Sequence, residues 1–150
     1  EAGLPTVDTD RIQTVLWSKV AYNCALNPLS ALLNVPYGAL AENSHTRRIM
    51  DDVIGELYAV ASAMGVLLEP GTAEGYRENF YGKMLPPTAA HYASMREDLL
   101  LGRRTEVDAL NGAIARFGAE RNVPCPTNAM LTALVHAREG LNPAGKAEKT

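Results

Sequence analysis

Cysteine is scarce in this 150-residue sequence: Cys24 and Cys125 are the only two, far apart and without a CxxC spacing. That excludes a disulfide framework and leaves two reduced, buried thiols of a cytoplasmic protein as the expectation. Histidine is equally thin. His45, His91 and His136 are scattered and no HExxH occurs, so no metal is expected and each histidine reads as a surface or locally satisfied residue. The glycine signatures are missing too, with no GxGxxG, no GxxxxGKS/T and no GxSxG. The sequence therefore carries no nucleotide-phosphate cradle of its own and no serine-hydrolase elbow. Basic charge is not in excess: the net charge is -3, the pI is near 5.6, and the pairs Arg47-Arg48 and Arg103-Arg104 stand alone. Neither nucleic acid nor an anionic membrane is expected as a partner. The most apolar stretch, Val15 to Val35, is interrupted by Lys19, Asn23, Asn27 and Pro28, which does not suit a membrane span. Glu1 to Asp10 is polar and holds Gly and Pro, unlike a signal peptide.

What is present is ordinary for one globular domain, with 47% hydrophobic and 21% charged residues. Apolar residues recur at three and four, so the expected fold is all-α, a bundle of about six or seven helices. A first helix is expected from Asp8 or Asp10 through Ile12, Leu16, Val20 and Cys24, with a kink or a new helix at Pro28. Tyr37 to Glu42 reads as a connector or helical turn. Ser44 reads as the N-cap of a long helix ending at Met64 before Gly65. A middle helix is expected over 73–83. Ser94 with Glu97 matches a capping box, a helix follows over 105–121, and Pro126 opens a last helix through Leu131, Leu134 and Val135. Residues 1–10 read as a linker remnant, 11–140 as the domain and 141–150 as a polar tail. A chain that starts at Glu1, without methionine, begins as an excised C-terminal domain would; processing of a natural chain gives the same start.

One feature invites chemistry. At about 100° per residue, Lys19, Asn23 and Asn27 fall within an arc of about 80° on the first helix. Around them sit Trp17, Val20, Ala21, Cys24, Ala25 and Leu26, so the helix is apolar nearly all round and is expected to be buried. Burying those polar groups without partners costs on the order of 1–3 kcal/mol for each amide and more for the charge. Either Lys19 snorkels to water and Asn27 caps a helix starting at Pro28, or the three face a ligand. An ammonium beside two amide donors suits a carbonyl or carboxylate substrate.

Residues 16–32, LWSKVAYNCALNPLSAL, resemble the start of the C-terminal domain of ketopantoate reductases (2-dehydropantoate 2-reductases). A second block, SMRED at 94–98 and GRRTEVDALNG at 102–112, supports the likeness, and VPCPTN at 123–128 adds to it. The resemblance implies the helical half of a two-domain enzyme, its fold like the C-terminal domain of 6-phosphogluconate dehydrogenase. An N-terminal Rossmann domain would bind NADPH, and the pair would reduce ketopantoate to pantoate on the route to pantothenate and coenzyme A. This half alone is then not a competent reductase.

The resemblance implies that Lys19 is the catalytic lysine and that Asn23, Asn27 and Ser94 bind substrate. It implies Glu106 as an active-site residue near cofactor and substrate that can orient Lys19. Read without it, Ser94 is an N-cap and Glu106 a first-turn acid favoured by the helix dipole. Some members place a substrate-contacting asparagine ten positions beyond the one matched by Asn27, where this sequence has Tyr37. A related reductase of another branched 2-keto acid would keep the same lysine. The contrasting reading is a helical binding or dimerisation module without catalysis, and a homodimer through helices is an expectation of either.

Overall fold

A computed structural model describes residues 7–141, with side chains from Arg11 onward. Seven α-helices are described: α1 (Val7–Leu33), α2 (Tyr37–Glu42), α3 (Ser44–Ala63), α4 (Ala73–Asn79), α5 (Ser94–Leu100), α6 (Asn111–Glu120) and α7 (Pro126–Gly140). A π-helical turn at Phe80–Met84 extends α4, and 3-10 turns lie at Pro86–Thr88 and Val107–Ala109. Among the described residues there is no strand, so the expected all-α bundle is the fold. The expected linker begins outside the described residues, which exclude 1–6, but α1 already runs from Val7. Of the expected tail, Leu141 caps α7 and 142–150 lie outside the described residues.

Helix α1 is the axis of the bundle, packed by α3, α5 and α7. Ala21, Cys24, Ala25, Leu26, Leu29 and Ala31 are all buried, because small and apolar residues on every face let the neighbours close in from all sides. Its upstream half departs from the expectation of burial. Ile12, Val15 and Leu16 are 57%, 59% and 54% exposed, since no other described element covers that end.

Pro28 does not start a second helix; α1 runs through it. A proline there removes the hydrogen bond that the Cys24 carbonyl would accept. The fully buried Asn111 repairs this, its Nδ2 donating to Cys24 O at 3.0 Å and also to Asn128 Oδ1 at 3.0 Å. Asn128 Nδ2 donates onward to Glu56 Oε1 at 2.9 Å. The Glu56 carboxylate accepts the free N–H groups of Thr127 and Asn128 at the start of α7, at 2.9 and 3.0 Å. One polar chain, fully buried at Asn111 and Asn128 and half-buried at Glu56, thus ties α1, α6, α7 and α3 together.

Three helix starts differ from expectation. Asn43, not Ser44, caps α3, its Oδ1 accepting from His45 N and Thr46 N at 2.9 and 3.2 Å. Ser94 is the first residue of α5 rather than its cap; Ala93 holds the cap position and makes no side-chain bond, its own N–H donating to Ser30 Oγ at 3.2 Å. The single helix expected over 105–121 is two pieces, broken at Leu110, where φ is −109° and ψ −101°. Val107 and Asn111, on either side of the break, are both buried. By contrast α3 stops as expected: Gly65 takes φ +73°, with Val66 N donating to Ala61 O at 2.9 Å and Gly65 N to Ser62 O at 3.1 Å.

Candidate active site

Because α1 is unbroken, Lys19, Asn23 and Asn27 do share one arc. Their environments differ sharply along it. Lys19 is exposed and has no hydrogen-bond or ion-pair partner among the described residues. It stands at the lip of a groove of about 770 Å³ lined by Arg11, Ser18, Tyr22, Glu69, Met84 and Thr88. The burial cost expected for its charge is therefore absent within this chain. Tyr76 pins the helix just upstream, its hydroxyl donating to Ser18 O at 2.7 Å.

Asn23 is half-buried and also without a partner among the described residues. Asn27 is buried, and its Oδ1 accepts from the Tyr37 hydroxyl at 3.1 Å. It is not a helix cap, since α1 continues past it. Burial, with Tyr22 nearby, pushes the Tyr37 phenol up to about 12, so the hydroxyl keeps its proton and remains the donor. With Oδ1 engaged, the amide nitrogen is the end of Asn27 left for another molecule. Tyr22 holds Tyr37 edge-on, with ring centroids 6.2 Å apart, and its own hydroxyl meets Thr88 Oγ1 at 2.6 Å on the groove wall. Tyr37, known from the sequence only as a departure, is thus the partner of a candidate site residue. Nothing in its sequence neighbourhood signals that, because ten residues and a turn separate the pair.

The second block reaches the same helix from elsewhere. Ser94 is exposed, one residue beyond the Ala93–Ser30 bond that docks α5 near the Asn27 end of α1. Glu106 is exposed and forms no side-chain bond among the described residues. Its segment is carried to α1 by Asn111 on Cys24 O. Ala109 also faces Leu16, Trp17 and Val20 across an apolar groove of about 330 Å³. Neither Ser94 nor Glu106 lines the Lys19 groove. The two grooves flank α1 on different faces, with Leu16 on one and Lys19 on the other.

Of the candidate residues Lys19 alone lines that groove, and Asn23 and Asn27 lie further along α1 outside it. An ammonium, amide donors and a hydroxyl are groups that can grip a carboxylate and stabilise negative charge on a carbonyl oxygen when brought to one ligand. Among the described residues no group of three or more His, Cys, Asp and Glu is placed to hold a metal ion. No described helix is long and apolar enough to cross a membrane.

Residues 11–139 match the family model described as "Ketopantoate reductase PanE/ApbA C terminal". Over 142 residues the chain is 45% identical to 2-dehydropantoate 2-reductase of Aquifex aeolicus (strain VF5), a match that covers 95% of this chain and 46% of that protein. The crystal structure of a PanE/ApbA family ketopantoate reductase from Ralstonia eutropha JMP134 is similar with a TM-score of 0.76 and 37% identity, over 86% of this chain and 42% of that one. The ternary structure of D-mandelate dehydrogenase with NADH and anilino(oxo)acetate is similar with a TM-score of 0.78 and 31% identity, over 87% and 42%. The chain spans about half the length of these relatives or less.

Proposed function

The chain belongs to the ketopantoate reductase family, as its C-terminal domain, and from that premise we propose that it is the substrate-gripping, proton-donating half of an NADPH-dependent 2-dehydropantoate 2-reductase. The reaction would turn ketopantoate into pantoate, in the cytoplasm, on the way to pantothenate and coenzyme A. A Rossmann domain preceding this one would hold the cofactor. The residues here fit a dinucleotide only at its edge. The sequence has no glycine fingerprint, while exposed, unpartnered Glu106 can accept a hydrogen bond from a cofactor hydroxyl or amide.

When bound, NADPH supplies a hydride to the substrate's carbonyl carbon. The residues of this chain act at the oxygen. Lys19 donates a hydrogen bond to that oxygen and passes it a proton as negative charge develops, an effect worth about 10²–10⁴-fold. Asn23 and the free amide nitrogen of Asn27 would hold substrate oxygens, and Ser94 would bind the carboxylate. Glu106, which is not paired with Lys19 in this structure, would orient the ammonium in the assembled cleft. The observation that carries this reading is the contrast along one helix: Lys19 exposed and unpaired, Asn27 buried and fixed by Tyr37. Titrating the chain with pantoate while following backbone amide shifts should move Asn23 and Ser94. No shift at millimolar ligand would instead favour a helical interface module.

A second reading has its own support. Tyr37 stands where some members of the family place an asparagine, and its hydroxyl is taken up by Asn27. The likeness to a D-mandelate dehydrogenase points the same way, toward a reductase of another branched 2-keto acid. Comparing turnover of ketopantoate by the full-length protein with that of 2-keto acids that lack its hydroxyl separates the two. A homodimer through α7 is proposed on the exposed Met130, Leu134 and Leu141, which recur at four and seven.

A further inference from the structure

We propose that His136 is a positioning residue: by bridging Asp108 and Glu139 it clamps the turn that carries Glu106 onto α7, and it loosens the clamp when its ring loses a proton. The inference rests on the reading of Glu106 as a site residue.

His136 lies on α7 and has a carboxylate on each ring nitrogen. Nε2 is 2.7 Å from Asp108 Oδ1 on the 3-10 turn, and Nδ1 is 2.9 Å from Glu139 Oε1 on α7 itself. The other oxygen of Glu139 accepts from Thr105 N at 3.4 Å. Glu106 is therefore bracketed, with Thr105 fastened on one side and Asp108 on the other, both to the same stretch of α7. Between them, Ala109 N donates to Glu106 O at 2.9 Å, closing the turn.

Protonation decides whether all these contacts hold together. An ionised carboxylate only accepts hydrogen bonds, and a neutral imidazole has one N–H and one lone pair. Both short contacts are satisfied at once only by the imidazolium. Without its second proton, one ring nitrogen points a lone pair at a carboxylate less than 3 Å away. Keeping the N–H on Asp108 then turns the other nitrogen against Glu139, which is the group that holds Thr105. The charged groups that face the ring are Asp108 from the 3-10 turn and Glu139 from α7.

The geometry fixes the sign of the pH response. The hydrogen bond to Asp108 is the largest influence; burial opposes it, and the charges of Asp108 and Glu139 with the Glu139 hydrogen bond add to it, so the histidine is raised above its ordinary value. The clamp is accordingly complete below the ordinary histidine range and is lost as pH rises through the raised value. The side chains of His136 and Asp108 are 42% and 59% exposed, so the effect is that of a surface charge pair, about two- to fivefold.

The test is hydrogen-exchange protection of the Thr105, Val107 and Ala109 amides, together with the His136 ring resonances, across the histidine range. Protection should fall about two- to fivefold with the same midpoint as the ring. In His136→Gln it should be low and flat at every pH, and Asp108→Asn should lower the ring's midpoint. Protection that stays flat in the unaltered chain, or the same titration persisting in His136→Gln, would overturn the proposal. Ligand data keep the underlying reading separate. If the amides titrate with His136 but Glu106→Gln leaves 2-keto acid turnover of the full-length protein intact, the clamp stands and the role of Glu106 falls.

Discussion

Asn111 sits fully buried on α6, and the polar groups around it depend on its amide. It donates to the carbonyl that Pro28 leaves unsatisfied and to Asn128, while its own Oδ1 has no partner among the described residues. Asn111→Ala would strand two buried acceptors, at a cost of about 2–5 kcal/mol. Urea unfolding should show this as a lower midpoint with unchanged slope; an unmoved midpoint would mean that α1 needs no repair at Pro28. Tyr37 is the second residue of this kind. Tyr37→Phe removes one hydroxyl from a neutral hydrogen bond, about 0.5–1.5 kcal/mol of stability, and frees the Asn27 amide to turn. Weaker pantoate binding, measured by titration, together with a stability loss no larger than that is the expected result. That Lys19, Asn23 and Asn27 share one arc was legible from spacing alone because helical periodicity is local, while roles for them came only from the family resemblance. Asn111 and Tyr37 were not, because each acts through a partner brought close only by the tertiary fold.

At the scale of elements, each described helix falls in a segment read as helical, or for Tyr37–Glu42 as a connector or helical turn, and the differences are the starts of α3 and α5 and the break at Leu110 inside 105–121. Helix α3 shows why. Asn43 and Ser44 are both good capping residues, and sequence order does not say which adopts the extended backbone that a cap needs. The structure gives that role to Asn43, with φ −99° and ψ 125°. Asn43→Ala should therefore cost about 1 kcal/mol in thermal or urea unfolding, whereas Ser44→Ala should cost only a few tenths. The reverse order would restore Ser44 as the cap. Where α6 meets the loop into α7, closeness is the determinant. A Cβ on Gly118 would lie 2.6 Å from both Cys125 Sγ and Val123 O, so glycine is required there for packing rather than for backbone freedom. The break at Leu110 was hidden for a related reason: 3-10 turn and helix share the apolar spacing that predicts one long helix.

The whole molecule divides into a closed half and an open half. Around Ala21 to Ala31 of α1 the neighbouring helices complete a core. Around Arg11 to Lys19 the helix presents exposed apolar residues, an unpaired lysine and two grooves. The proposed function takes this open half as one side of a two-part catalytic cleft; the chain spans about half the length of its relatives. The measurement that bears most directly on that account is ketone-dependent NADPH oxidation by the full-length protein carrying Lys19→Ala, run beside NADPH binding. Loss of turnover by at least about a hundredfold, with cofactor affinity unchanged, is the predicted result. Turnover close to that of the unaltered protein would remove Lys19 from the chemistry and contradict the account.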